Sequence, residues 1–569
     1  MKSPSLVVQP SVAWLHYTTS SPLAAVSDPN RMSKPNRLIL RKHQQEILRQ
    51  AKEIKHKRLR KVDIFTEVIP GGGKSKNVSI LAEQLREGKL IKGIVWLCPR
   101  KSLQGQAITS AKEGSGSGAP GFTLGENYQR ATREGFATTF ASLLRNPREH
   151  LTALKKVQGA VLLVVDEVHF LRGGIQVEGW SEAFAALRKE VFDRGGYQLS
   201  MTGTARRWDE NPVVNAPYDP SGSVHLDPAR VISYSRTDGL ADGAITKIVP
   251  HFFDGTVQWT GDDGPDFNDP EMLSEFGKSL SPAYMGRALR AFFSCVNLET
   301  VHMKVVWDSI ADPKRGWLRY KSIYGNNQSI IMVDRQETAV ALVNALNDQG
   351  FRDKVRKHAK HLGVSFHDDF RALLAISSDP HSSRSIQSYR KGRLDGNFHK
   401  RQIRDSAVVN PIGQHGQEVH CLVTVGQASV GMDAPACTHL INLGVTRSIP
   451  WLTQAFARTW RSGDFRWPPG KSCVPLKDRL CQIWMPADVR MRLALEAICE
   501  GTYASGLPKK QVSDLWHLLP DPADESEGLD IFADKEPVPA KVRSKSERPV
   551  YSAVPGSCGV TSIWSESKS

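Results

Sequence analysis

The sequence predicts an α/β protein: two tandem parallel-sheet domains with a helical insert between them and flexible termini. Three observations carry this expectation. A β-type run ending at Val68 and Ile69 passes through Pro70 into Gly71, Gly72 and Gly73, then Lys74, Ser75 and an amphipathic pattern (Val78, Leu81, Ala82, Leu85). An apolar run, Leu162 to Val165, delivers Asp166 and Glu167 at its end. Short apolar runs alternate with helical patterns twice over, at 94–98, 160–165 and 197–201, then at 329–333, 372–376, 421–425, 440–443 and 481–485. Apolar strands alternating with helices imply a parallel sheet covered on both faces.

Taken in order, residues 1–35 are rich in Ser and Pro without sustained periodicity and read as a flexible arm. The stretch 38–61 places Leu40, Ile47, Leu48 and Ile54 at helical spacing and carries a strongly basic face, for which plain solvation is the ordinary account. The first α/β unit covers 36–233, with a Gly/Ser-rich surface loop at 111–128. A connecting segment with a helical insert covers 234–320: GDDGPDFNDPE reads as a loop, and Met272–Trp317 as largely helical. The second unit covers 321–510, and the Pro-, Ser-, Glu- and Lys-rich tail 511–569 reads as disordered.

Strand, glycine loop and helix in that order form a phosphate cradle. Glycines let backbone N–H groups converge on an anion, the helix N-terminus adds its dipole, and Lys74 reaches the outer phosphates. Ser75 is then placed to ligate Mg²⁺. The ordinary alternative is a glycine-rich turn before a helix, since Val68 stands where the full GxxxxGK[ST] spacing has glycine. The second GKS, at 470–472, follows no strand or glycine run and reads as a loop. Asp166 and Glu167 lie at the C-terminal end of a strand, where ligands bind in open parallel sheets. With a nucleotide there, one carboxylate holds Mg²⁺ and the other orients and deprotonates a water.

Composition narrows the partner. The 569 residues carry a formal net charge of +16 and a pI near 9.4, which favours an acidic partner, most simply nucleic acid. A basic tract at 352–404 can add phosphate contacts or be a solvated face. The eight cysteines form no CxxC, so neither a zinc ribbon nor a redox pair is expected, and a reducing compartment fits. No run approaches the roughly eighteen apolar residues of a membrane span, and the interrupted N-terminal stretch does not resemble a signal peptide. The expectation is a cytoplasmic protein without a membrane partner.

PGGGKS followed by DEVH resembles motifs I and II of the superfamily-2 helicases, the DEAD/DEAH-type nucleic-acid motors, and further motifs follow in the family's order. LRKHQQE resembles the upstream element whose glutamine, here Gln44, reads adenine. VWLCPRKSLQGQ resembles motif Ia and places Arg100 at nucleic acid; FATTFASL places Thr139 there too. SMTGTARR resembles motif III, in which Thr202 and Thr204, with His169 of the DEVH box, couple ATP state to domain geometry. IIMVDRQETA is similar to motif IV. VTVGQASVGMDAPACTHLI resembles motif V, with Gly431 and Asp433 at the nucleotide. QAFARTWR resembles motif VI, QxxGRxxR, with Gln454, Arg458 and Arg461 in place and Ala457 replacing glycine. The resemblance covers roughly 38–490 and implies two RecA-like domains, ATP and Mg²⁺ as cofactors, metal contacts from Ser75 and Asp166, and arginines reaching across a cleft to the γ-phosphate. It lies closer to restriction-enzyme motor subunits and excision-repair helicases than to DEAD-box RNA helicases, so DNA is favoured as the track. An RNA helicase, or an ATP-gated scaffold subunit docking a partner through its tail, are the alternatives.

Overall fold

The structure, a computed structural model, describes residues 40–115, 120–171, 180–205, 230–259, 267–274, 298–325, 327–364, 369–403, 407–410, 412–425, 436–461 and 480–500, with a few isolated residues between. The N-terminal arm, the tail, Gly431 and Asp433 lie outside the described residues.

The first sheet contains six parallel strands: β1 (Asp63–Val68), β2 (Gly93–Cys98), β3 (Gly135–Thr139), β4 (Val161–Asp166), β5 (Tyr197–Thr202) and β6 (Val231–Tyr234). Their spatial order is β3-β2-β4-β5-β1-β6. β2 and β5 are buried along their whole length: β2 is apolar throughout, whereas β5 also buries Gln198, Ser200 and Thr202. This order puts the ends of β1 and β4 one strand apart, separated only by β5. Helix Lys42–Lys57 packs Ile47, Ala51 and Ile54 into the first lobe and turns its lysines outward.

The short strands β7 (Ile248–Phe253), β8 (Thr256–Trp259) and β9 (Phe267–Met272) follow. The second sheet then adds β10 (Gln328–Val333), β11 (Ala372–Ala375), β14 (Cys421–Thr424), β15 (Cys437–Leu443) and β16 (Cys481–Pro486), with a small hairpin of β12 (Arg401–Ile403) and β13 (Ala407–Val409) aside. Its order is β11-β14-β10-β15-β16-β7, parallel throughout. The outer strand β7 comes from the stretch that the sequence assigns to the connecting segment. It pairs with β16 over six residues, from Cys481↔Ile248 to Pro486↔Phe253. Pro250 is tolerated because β7 is an edge strand.

One local expectation needs correction. GDDGPDFNDPE is not all loop, because Phe267–Met272 forms β9 and pairs antiparallel with β8. The register shifts between Val257 and Trp259, so the partner strand accommodates Asp269 and Pro270 in an irregular stretch. Of Met272–Trp317, the described residues are helical at 289–290 and 292 and over Met303–Ala311, with a π turn at Leu298–His302, while Trp317 opens a separate helix, Trp317–Tyr324.

One buried ion pair fixes the approach to the helix Ile449–Phe456. Arg447 and Asp488, both fully enclosed, meet at 2.8 Å, and Arg447 also donates to the Gly444 carbonyl at 2.8 Å. Neither charge can be removed singly without leaving the other buried and unpaired. Val68, Ile69, Tyr234 and Ile245 belong to the same buried apolar cluster as the second sheet, so the core runs from the end of β1 into the second lobe.

Candidate active site

The loop after β1 adopts the conformation its glycines permit. Gly71 and Gly73 have φ of +88° and +90°, left-handed values that strain other residues. Gly72 is required for space: a Cβ there would lie 2.6 Å from Val68 Cγ1 and 2.8 Å from the Ile69 carbonyl oxygen. Val68, the departure from the usual spacing, is fully buried and packs beneath the loop, outside the cradle itself. Helix Lys74–Glu87 begins immediately after Gly73 and directs its N-terminus at the cradle. Ser75 is exposed on its first turn.

Lys74 crosses to the end of β4, where its Nζ lies 2.5 Å from Glu167 Oε1. Glu167 has φ +52°, a conformation rare for a residue with a side chain, and its N–H donates to Asp166 Oδ1 at 3.1 Å. Burial and then the Glu167 charge raise the Asp166 carboxyl to about 7, against the pull of Lys74. Burial pushes Glu167 the same way, but Lys74 and His169 outweigh it and hold its carboxyl below the usual range; Arg458 adds to this effect.

His169 joins three elements. Its Nδ1 is 2.9 Å from Thr202 Oγ1, and Thr202 Oγ1 donates to the Thr204 carbonyl at 2.8 Å. The hydroxyl proton is thereby committed, so Nδ1 carries the ring proton and donates to Thr202. His169 Nε2 lies 3.3 Å from Gln454 Nε2 on the helix Ile449–Phe456. Gln454, His169, Thr202 and Thr204 therefore form one chain of contacts from the second lobe to β5. Ala205 N–H extends it by donating to Glu67 Oε1 at 3.2 Å, beside the glycine loop.

Gln44 lies against the same loop. Its Oε1 accepts from the Arg41 N–H at 3.1 Å and its Nε2 donates to the Gly73 carbonyl at 3.4 Å. Arg41 donates to the Gly71 carbonyl at 3.2 Å. Arg458 is buried, with Nη1 donating to the Met432 carbonyl. Arg461 packs its stem toward Gly71, where a Cβ would lie 3.3 Å from Arg461 Cγ. Ala457 has φ −61°, so the glycine usual at that position is not needed for backbone conformation. Arg100 and Thr139 are placed apart from this cluster, at the ends of the neighbouring strands β2 and β3. Arg100 precedes helix Lys101–Glu113, and Thr139 caps helix Phe140–Arg145 by accepting from the Ser142 N–H at 3.1 Å.

The donor set suits a phosphorylated ligand with a divalent cation. Two adjacent carboxylates, a half-buried Asp166 and a buried Glu167, face one lysine, and Glu167 Oε2 is buried without a hydrogen-bond partner. Asp166, raised by burial, is the kind of carboxyl that a cation would return to its ionised form. Asp166 and Ser75 are the oxygens available to a cation, and Glu167 Oε2 is the oxygen available to a water. Pattern alone marks neither Arg41, which donates to the Gly71 carbonyl, nor Trp460, which donates to the Pro70 carbonyl.

His43, next to Gln44, is 1% exposed and stacks on Tyr234 with ring centroids 4.4 Å apart. Neither ring nitrogen has a hydrogen-bond partner. Burial first, and Arg41 second, push it down to about 4, against Asp242 and Asp238. Its folded value lies below the unfolded one, so the unfolded chain takes up the proton first as pH falls. The stability present above pH ~6.5 is lost between ~6.5 and ~4. At pH 5 that loss is about 2 kcal/mol relative to pH 8. His43→Phe should remove this share of the pH dependence in denaturant melts at the two pH values, while wild type keeps it.

Residues 37–207 match the family model described as the type III restriction enzyme, res subunit. Uncharacterized proteins of Mycobacterium tuberculosis (strain ATCC 25618 / H37Rv) and Mycobacterium leprae (strain TN) are 24% and 25% identical over 228 and 231 residues, 40% of this chain in each case. The chain spans about a third of the length of these curated relatives, 36% of each. Three solved structures are similar. The ATP-dependent Type ISP restriction-modification enzyme LlaBIII bound to DNA has TM-score 0.42 and 12% identity, covering 81% of this chain and 30% of that one. A putative HsdR subunit fragment of a type I restriction enzyme from Vibrio vulnificus YJ016 has 0.44 and 15%, covering 80% and 65%. The helicase Lhr of Mycobacterium smegmatis bound to ssDNA and AMP-PNP has 0.41 and 14%, covering 80% and 48%.

Proposed function

We propose, starting from residues 37–207 as a superfamily-2 helicase-type module of restriction-subunit character, that this chain is an ATP-driven DNA translocase or helicase. Its first domain is taken as 36–233, its second as 321–510 and its connecting segment as 234–320, with β7 of that segment completing the second sheet. The observation that carries the reading is the convergence of both lobes on one glycine loop. Lys74 and Glu167 meet at 2.5 Å on one side, and the turn bearing Arg458 and Arg461 packs against Gly71 on the other.

In this mechanism the backbone N–H groups at 73–75 and Lys74 hold the phosphates, the Gly72 N–H closes the loop onto the Ile69 carbonyl at 2.8 Å, and Gln44 and Arg41 brace the loop. Ser75 and Asp166 would hold Mg²⁺, which would supply charge neutralisation for the phosphates. Glu167 orients the attacking water and takes its proton at Oε2, the oxygen without a hydrogen-bond partner. Arg458 and Arg461 stabilise charge on the transferring group from the second lobe, so hydrolysis needs the lobes together. The Thr204–Thr202–His169–Gln454 chain ties Glu167's neighbourhood to the same second-lobe helix, making lobe position sensitive to what the site holds. Arg100 and Thr139, on the ends of adjacent strands, grip the track.

The net charge of +16 and the match to a restriction-enzyme subunit support DNA as the track. The test is ATPase rate with single-stranded DNA, double-stranded DNA and RNA at fixed salt. DNA is expected to raise the rate, with the activation weakening steeply as salt rises. An equal rate with and without every nucleic acid would overturn the motor reading, and activation by RNA alone would move the track to RNA.

A further inference from the structure

Trp460, between Arg458 and Arg461, is fully buried, and its role is not set by the chemistry of either arginine. Its indole N–H donates to the Pro70 carbonyl at 2.8 Å, across 390 positions of sequence. Pro70 is the residue from which the glycine loop springs. A Cβ on Gly71 would lie 3.4 Å from Trp460 Nε1, so the indole is seated directly on the loop.

The segment between the lobes holds the same residue from behind. Thr246 N–H donates to the Trp460 carbonyl at 2.7 Å, and Ile245 forms an antiparallel bridge with Arg461. The buried Arg236 guanidinium lies 4.7 Å from the indole ring centroid, within cation–π range. First-lobe loop, inter-lobe segment and arginine-bearing turn thus meet at one side chain.

An arginine has many rotamers, and its effect on a transferring group falls steeply with misplacement. An indole is large and rigid with two torsions, and its buried N–H needs an acceptor. We propose that Trp460 is a positioning residue: its N–H bond to Pro70 sets the register of the turn carrying Arg458 and Arg461 against the phosphate-binding loop. The proposal rests on the ATPase reading of the site. Core packing alone would make Trp460 important for stability. Setting register makes it important for turnover, and only through the arginines.

The test uses the full chain as wild type, Trp460→Phe, Arg458→Ala and the double variant. Trp460→Phe keeps a buried ring and deletes the donor. Its kcat is expected to fall about tenfold, the scale of one lost buried hydrogen bond, with KM for ATP within about twofold. In the Arg458→Ala background the same change should lower kcat no further, because the two residues act as a unit. Small-angle scattering without nucleotide should show a larger radius of gyration for Trp460→Phe, as one of the bonds between the lobes is lost. A kcat within twofold of wild type, a kcat loss that multiplies in the double variant, or an unchanged radius would each overturn the proposal. If Trp460→Phe does not fold, 3-benzothienylalanine at 460, matching tryptophan in shape without the N–H, must give the same results. A wild-type chain that hydrolyses no ATP would overturn the functional reading, and the scattering comparison would still decide whether Trp460 clasps the lobes.

Discussion

Glu167→Gln is expected to bind ATP as well as wild type and to hydrolyse it more slowly by a factor of about 10²–10⁴, the scale of a lost general base. The substitution preserves the shape of a side chain enclosed at the end of β4 and removes its charge. In the native protein that charge is held on Glu167 by Lys74 at 2.5 Å, with His169 Nδ1 3.5 Å from the second carboxylate oxygen. Glutamine leaves the phosphate cradle intact, because the loop conformation depends on Gly71, Gly72 and Gly73 and on the braces from Gln44 and Arg41. Fluorescent-nucleotide binding together with phosphate-release rates separates the two effects. Hydrolysis at the wild-type rate would remove Glu167 from the chemistry.

Arg458→Ala is expected to lower kcat by about 10³ or more, as loss of an arginine finger does, with KM changed far less. Arg458 is 3% exposed, comes from the second lobe, and contributes to holding Glu167 ionised. Arg458→Lys should recover only part of the loss. Lysine keeps the charge but has no planar fork to donate to both a phosphoryl oxygen and the Met432 carbonyl. Single-turnover rates at saturating ATP measure this directly. A full recovery by lysine would mean that charge alone matters and that the fork geometry has no role.

What the sequence made legible was local. β2 and β4 are written as continuous apolar runs because both of their faces are buried, and the residues at their ends follow from chain direction. Lys74, Glu167 and His169 are within reach of pattern because each directly follows the glycine run or apolar strand that places it, although the groups they touch lie far off in sequence. β7 was not legible. IVPHFF contains a proline and a histidine, and its strand character comes from β16, more than two hundred residues away, where His251 Nε2 meets Gln482 Oε1 at 2.7 Å. β9 was hidden by a composition of Asp, Asn, Gly and Pro that ordinarily marks a loop; pairing with β8 overrode it. Trp460 shows the same limit within the candidate site. A motif preserves the residues that touch the reacting group, whereas the contact from Trp460 to Pro70 exists only once both lobes are folded.

The claim at the centre of this account is that one ATP site is built from two lobes. Binding of ADP with aluminium fluoride, a mimic of the transferring phosphoryl group, compared with binding of ADP alone in wild type and Arg458→Ala, tests it most directly. The account predicts that wild type binds the mimic at least about 10²-fold more tightly than ADP and that Arg458→Ala loses most of that preference while its affinity for ADP is unchanged. Equal preference for the mimic in both chains would show that the first lobe alone forms the site, and would contradict it.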